Sequence, residues 1–373
     1  MNQINCPICG NKCVKAGKTK AGTQRWLCKK CETSLTHKID NDSKELQIFL
    51  DWLFGKETQS IMPGEGRTFR RKTARFWDIW PMPPKIEETK DVLFLDGIYL
   101  GRKACVLICC DEKNVLGWYL CRYEHTGAWI ALMKRIAEPR MVVSDGGTGF
   151  AKALKKVWPI AKHQRCIFHV FCQIKRYTMS KPNTLAGVEL YCLAKDLLKI
   201  KEKQEAETWV TRFTEWIKKY QKFLSEMTVD EHGNKRPTHE RLLKAERSLL
   251  KLIKENTLFT YLDKEFINDF IAPSTNNRIE GGINSRLREM LRNHRGLSIE
   301  RRIKAVYWWC YMHSPEPLSL SEIIKIMPTD RSIAAIYQRM NDKSRLEKSL
   351  SLWGDAIVWS DLHKTDKSFT EWD

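Results

Sequence analysis

DVLFLDGIYLGRKACVLICCDEKNVLGWYLC, residues 91–121, holds three apolar runs separated by two short polar breaks. Val92 to Leu100, Ala104 to Cys110 and Val115 to Cys121 each have strand length and read as strands buried on both faces. Asp96 interrupts the first run and is followed by Gly97. Asp-Gly between apolar runs is a hairpin signal, yet Gly101-Arg102-Lys103 already offers the turn a few residues later. A carboxylate kept inside a continuing strand needs compensation, and a cation is the usual source.

Beyond this stretch, strands are expected at Met141 to Ser144 and, more weakly, around Gln164 to Cys166. Trp129, Leu132, Met133 and Ile136 lie on one face of a first intervening helix, and Phe150, Leu154, Val157 and Trp158 on one face of a second. The order strand, strand, strand, helix, strand, helix, strand is a mixed α/β layout. Asp145 ends its strand before Gly146-Gly147, where the carboxyl ends of parallel strands hold ligands. A plain strand-to-helix turn has the same appearance.

From Asn183 to Phe270 the pattern is Leu, Trp, Phe and Tyr at helical spacing among Lys and Glu, with a polar break at Asp230 to Pro237 and no strand signal. It reads as an all-helical insertion, with Trp209 and Trp216 as core aromatics first and base-stacking platforms second. Helices resume at Arg278 to Leu291 and Ile299 to Met312, and the stretch after Pro315 holds mixed helical pieces. Glu280 opens the first of these. Asn277 as N-cap with Glu280 three residues on fits a capping-box pair, but Gly281 and Gly282 each weaken a helix by about 0.8 to 1 kcal/mol relative to Ala. Adjacent glycines point instead to a close approach by backbone, substrate or metal.

The 64 Lys and Arg outnumber 45 Asp and Glu for a net charge of +19, a balance that favours a polyanionic partner, nucleic acid first. The excess is concentrated: residues 1–80 carry 15 basic and 8 acidic side chains, and residues 278–304 carry 8 and 3. Thirteen cysteines without a secretory apolar segment point to a reducing, cytoplasmic compartment, and no apolar run reaches a membrane span. Paired thiols there read as metal ligands. Cys6-x2-Cys9 and Cys28-x2-Cys31 have the spacing of two knuckles around one tetrahedral Zn²⁺, with Cys13 outside the set.

Lys12, Lys15, Lys18, Lys20, Arg25, Lys29 and Lys30, with Trp26 between them, make this small unit a candidate phosphate-contacting face. The next segment, Ser43 to Trp80, reads as three helices: a stripe of Leu46, Phe49, Leu50 and Leu53, a short piece around Thr58 to Ile61, and a last helix after Pro63 to Gly66. That is a helix-turn-helix pattern. In the last helix Phe69, Phe76, Trp77 and Trp80 are expected to pack inward, leaving Arg67, Arg70, Arg71, Lys72 and Arg75 for a major groove.

Asp96, Asp145 and Glu280 suit two-metal phosphoryl transfer, and an all-oxygen ligand set favours Mg²⁺ or Mn²⁺. At these residues the chain resembles bacterial insertion-sequence transposases of the Mutator-like DDE superfamily, from the Cys-rich segment to about Met312. Its most specific element is Ser274-Thr275-Asn276-Asn277-Arg278-Ile279-Glu280 followed by Asn284-Ser285-Arg286-Leu287-Arg288. Asp96 and Asp145 match the family's Asp-Gly on a first core strand and its second aspartate. Cys166-Ile167-Phe168-His169 looks like its Cys-x2-His motif, although one Cys and one His fall short of a tetrahedral zinc site.

The resemblance implies a ribonuclease H-like core interrupted by a helical insertion. In segments, this is a zinc ribbon over 1–40, a helix-turn-helix over 41–84, core over 88–182, insertion over 183–272, the second part of the core over 273–313 and a helical tail over 314–373. It implies binding of double-stranded DNA at element ends and in the target, strand cleavage and transfer with two metal ions, and a dimer or larger synaptic complex. Arg278, Arg286, Arg288, Arg292 and Arg295 would clamp phosphates near Glu280, with Cys166 and His169 as active-site support. Two other readings fit the same residues, a DNA-binding regulator with an inactive body and a nuclease that cuts without joining.

Overall fold

A computed structural model describes residues 4–6, 8–36, 41–229, 231–267, 270 and 272–343. The Cys-rich segment forms a small antiparallel sheet of β1 (Cys13–Lys18), β2 (Gln24–Cys28) and β3 (Ser34–Thr36). Then come α1 (Asp42–Phe54), α2 (Glu65–Thr73) and a 3-10 turn at Ala74–Asp78. The short helix expected around Thr58 to Ile61 is replaced by turns. The cause lies in Pro63 and Gly64, whose φ of 91° ends any helical path there. Phe69, Phe76, Trp77 and Trp80 are buried, as the pattern required.

The central sheet is built from β4 (Val92–Leu100), β5 (Ala104–Cys110), β6 (Val115–Cys121), α3 (Thr126–Met133), β7 (Met141–Ser144), α4 (Thr148–Val157) and β8 (Lys162–Arg165). Its five strands lie in the order β6-β5-β4-β7-β8. β4, β5 and β6 form an antiparallel meander, while β7 and β8 join β4 in parallel. The last strand falls two residues earlier than the weak signal at Gln164 placed it, and Cys166 becomes the N-cap of the next helix.

Every residue of β5 and β6 is buried, because both sheet faces are covered. On one face Leu93, Leu95, Leu107 and Val142 meet Trp129, Phe150 and Trp158 from α3 and α4. On the other, Phe94, Ile98, Val106, Trp118 and Val143 belong to the larger core. Side chains alternate along a strand, so Asp96 shares the second face with Phe94 and Ile98, and Asp145 shares it with Val143.

α5 (Ile167–Thr178), α6 (Leu185–Leu197), α7 (Lys203–Leu224) and α8 (Glu240–Lys254) follow. The insertion is not wholly helical. β9 (Met227–Val229) and β10 (Lys235–Pro237) form an exposed hairpin at the polar break. Trp209 and Trp216 are buried and donate to the backbone carbonyls of Leu193 and Ala186 at 2.8 and 3.0 Å, which fixes them as core residues.

A four-residue α9 (Lys264–Ile267), a π-helix at Arg278–Asn284, α10 (Ser285–Asn293), α11 (Ile299–Met312), α12 (Leu320–Ile326) and α13 (Asp330–Lys343) complete the described chain. The N-terminal helices share one core with these last elements. Trp52 packs on His294 with ring centroids 4.5 Å apart, and Phe49 meets Trp308 at 6.0 Å. Fully buried Lys304 reaches both Asp330 oxygens at 2.6 Å and Glu300 at 2.9 Å, and lies 5.0 Å from the Trp80 ring centroid. Among the described residues, no helix is long and apolar enough to cross a membrane.

Candidate active site

The parallel pairing of β4 with β7 matches Leu95 to Ser144. Asp96 and Asp145, each the next residue, therefore emerge side by side on the same face. Asp96 Oδ1 accepts the Gly97 N–H at 2.9 Å, and its Oδ2 accepts Asn284 Nδ2 at 2.7 Å. Burial, then the charges of Glu280 and Asp145, push the Asp96 carboxyl up to about 6 against the pull of the Gly97 N–H and His169. Asp145 Oδ1 accepts the Gly147 N–H at 3.2 Å as α4 begins.

Gly146 holds a φ of +77°, and a Cβ there would collide with the Arg165 guanidinium, so the turn brings that cation beside Asp145. Behind the turn, Ser144 Oγ lies 2.9 Å from His163 Nε2 and accepts the Gly146 N–H at 3.1 Å. Burial, assisted by Arg165, pushes the His163 imidazole down to about 4.

Glu280 lies on the π-helix, a form concentrated at functional sites. The capping pair does not form: Asn277 makes no side-chain cap bond. Asn277 Oδ1 instead lies only 2.5 Å from where a Gly281 Cβ would stand, so a side chain there would have to turn Asn277 aside. Buried Asn276 ties this segment to the sheet, donating its backbone N–H to Cys166 Sγ at 3.2 Å and its Nδ2 to the Leu95 carbonyl at 3.3 Å. Burial and Asp145 raise the Glu280 carboxyl, while Arg288 and Asn276 oppose the shift.

Glu280 Oε1 stands 3.2 Å from His169 Nδ1, out of line for a hydrogen bond, and neither of these buried atoms makes a hydrogen bond. Cys166 Sγ completes a trio whose ligand atoms all lie within 4.8 Å of one another. Asp96 and Asp145 share the neighbourhood electrostatically but are not part of that compact trio.

Several residues of this site escaped the sequence reading. Glu124, from the loop before α3, packs against Gly97 so closely that a Cβ there would lie 2.6 Å from its Oε1. Burial and the charges of Asp145 and Asp96 push its carboxyl up to about 7. Arg165 and the hydrogen-bonding roles of Asn276 and Asn284 were also missed. Gly146 beside Asp145 and the Asn-rich run before Glu280 were the available signals.

In the N-terminal sheet, Cys6 and Cys31 Sγ lie 3.4 Å apart, Cys9 and Cys28 3.4 Å, and Cys9 and Cys31 3.6 Å. Zinc–sulfur bonds of about 2.3 Å give a tetrahedron with edges of about 3.8 Å, so small outward shifts would admit the ion. Cys13 stays outside the set, as its spacing required.

Arg67, Arg70, Arg71, Lys72 and Arg75 are exposed, but not all are unengaged. Arg75 pairs with Asp42 at 2.8 Å and Glu45 at 2.6 Å, Lys72 approaches Glu45 at 3.7 Å, and Arg70 donates to Gln59 at 3.2 Å. Arg278 is half-buried and donates to the Glu112 carbonyl at 2.6 Å, whereas Arg286, Arg288, Arg292 and Arg295 are exposed along α10 and just beyond it.

Residues 104–234 match the family described as "Transposase, Mutator family". That range includes Asp145, Cys166 and His169, and is narrower than the resemblance read from the motifs, lying between Asp96 and Glu280. The chain is 28% identical over 159 residues to the "Transposase for insertion sequence element IS905" of Lactococcus lactis subsp. lactis (strain IL1403), covering 38% of this chain and 40% of that protein. It is 27% identical over 156 residues to the "Transposase for insertion sequence element IS6120" of Mycolicibacterium smegmatis, covering 37% and 46%. The matched stretch thus spans less than half the length of each relative.

Proposed function

We propose that this chain, with its Mutator-family match, is an insertion-sequence transposase that cuts and joins DNA at a ribonuclease H-like core. The observation that carries the reading is the placement of Asp96 and Asp145 on adjacent parallel strands and one sheet face, with Glu280 close enough to raise Asp96. The strand order β6-β5-β4-β7-β8 supports the same core.

The donor set fits Mg²⁺ or Mn²⁺. Three carboxylates supply only oxygen, and burial together with neighbouring carboxylate charge raises Asp96 and Glu280, the mark of a cluster short of positive charge. Asp96, Asp145 and Glu280 would hold two ions, which when bound supply Lewis-acid stabilisation of the attacking and leaving oxygens. Asn284 fixes the Asp96 carboxylate through its 2.7 Å hydrogen bond. Arg165 holds positive charge beside Asp145. No protein nucleophile is required, since water and then a DNA 3′ hydroxyl attack.

Arg286, Arg288, Arg292 and Arg295 would contact phosphates beside the carboxylates. Zn²⁺ held by Cys6, Cys9, Cys28 and Cys31 would stiffen a basic ribbon. In α2, Arg67 and Arg71 would enter a groove directly, with Arg70, Lys72 and, from the 3-10 turn that follows, Arg75 joining after exchanging their present partners. The partner would be double-stranded DNA in the bacterial cytoplasm, and holding two element ends calls for a dimer or larger complex.

The test uses the DNA flanking the gene, searched for inverted repeats and supplied as labelled duplex with Mg²⁺. Nicked and joined products from the wild type, absent from Asp96→Asn, Asp145→Asn and Glu280→Gln, are expected. Tight binding without cleavage under Mg²⁺ or Mn²⁺ would favour the regulator reading, and cleavage without joining a simple nuclease.

A further inference from the structure

We infer that Cys166, His169 and Glu280 form a second zinc-type site, separate from the N-terminal four-cysteine cluster, which competes with Asp96 and Asp145 for Glu280. Cys166 and His169 alone fall short of a metal site; the fold brings the third ligand from the π-helix, more than 100 positions away in sequence. Thiolate, imidazole and carboxylate are a donor set that selects Zn²⁺ over Mg²⁺.

The spacing of the ligand atoms and the lack of hydrogen bonds at two of them support it. The ligand atoms lie within 4.8 Å of one another. His169 Nδ1 and Glu280 Oε1, 3.2 Å apart, match the edge of about 3.3 Å that zinc bonds of about 2.0 to 2.1 Å give to a tetrahedron. Both atoms are also buried without a hydrogen bond and in polar contact with each other, an arrangement that a shared ion would satisfy.

A cavity of about 300 Å³, lined by Cys166, Phe168, Thr275, Asn277 and Glu280, adjoins the trio and leaves room for a water as fourth ligand. With three protein ligands and one open position, the site has the composition of exchangeable rather than closed structural zinc. Binding Zn²⁺ would commit Glu280 Oε1 to the His169 side and leave that oxygen unavailable to ions shared with the aspartates. That regulatory consequence rests on the catalytic role proposed for Glu280; the zinc site does not.

The experiment is metal analysis of the full chain equilibrated with Zn²⁺ and freed of excess, without DNA. The wild type is expected to carry two equivalents, and His169→Ala and Cys166→Ser one each, the retained equivalent reporting an intact N-terminal cluster. With Co²⁺ in place of Zn²⁺, the wild type minus Cys166→Ser difference spectrum should show sulfur-to-cobalt charge transfer. One equivalent in the wild type, or two in both variants, would overturn the site. Because this readout needs no strand cleavage, it stands or fails apart from the proposed enzyme activity.

Discussion

Replacing Asp96 by asparagine removes a charge that the metal-free fold tolerates poorly, while keeping the shape and an oxygen for the Gly97 N–H; the new amide group faces Asn284, whose side chain can turn its own partnerless oxygen to accept from it. The folded carboxyl titrates near 6 against an ordinary value of 3.8, chiefly because it is buried. Moving the carboxyl from 3.8 to about 6 corresponds to about 3 kcal/mol. The sign follows from linkage: an acid whose folded pKa is raised favours the fold while protonated. This contribution is present below pH 3.8 and is lost as pH rises through about 6. At pH 8 and without divalent ions, Asp96→Asn should therefore be more stable than wild type by up to about 3 kcal/mol, with most of that gain gone near pH 4.

Urea unfolding at the two pH values measures it through the midpoint and slope. Excess Mg²⁺ should narrow the gap at pH 8 by stabilising only the wild type. A variant no more stable than wild type at pH 8, or equally stabilised at both pH values, would refute the argument that uncompensated charge strains this site.

His163, held neutral by burial, should make stability fall as pH drops from 6.5 towards about 4, because the unfolded chain takes up the proton first; His163→Gln should flatten that part of the profile. Gly146→Ala should cost at least the 1 to 2 kcal/mol or so of a left-handed backbone, with more from the Arg165 clash, read by urea midpoint. Trp209→Ala should lose about 3 to 5 kcal/mol of stability while leaving DNA affinity unchanged at temperatures where it stays folded; selective loss of single-strand binding would restore the stacking role.

The sheet was legible because β4, β5 and β6 are continuous apolar runs, and Asp96 stood out as the charge that such a run has to accommodate. Asp145 was visible only as a strand end. What stayed hidden depends on tertiary context. Glu124 lies in a polar loop whose sequence resembles any other, and only the missing side chain at Gly97 lets it approach the site. The π-helix carrying Glu280 keeps a helical residue pattern, since a changed hydrogen-bond ladder leaves no distinct spacing. The β9–β10 hairpin escaped because its strands are three residues long and nearly all exposed, too short for the Met227 and Val229 alternation to register, and β10 has no apolar alternation. The likeness of residues 58–61 to a short helix failed because Gly64 redirects the chain.

Mn²⁺ titration by calorimetry, on the wild type and on Asp96→Asn, Asp145→Asn and Glu280→Gln, tests most directly whether three distant carboxylates serve common ions. Each single substitution should weaken or abolish the same binding event, leaving the N-terminal cysteine cluster untouched. Binding that survives undiminished in all three variants would contradict the account.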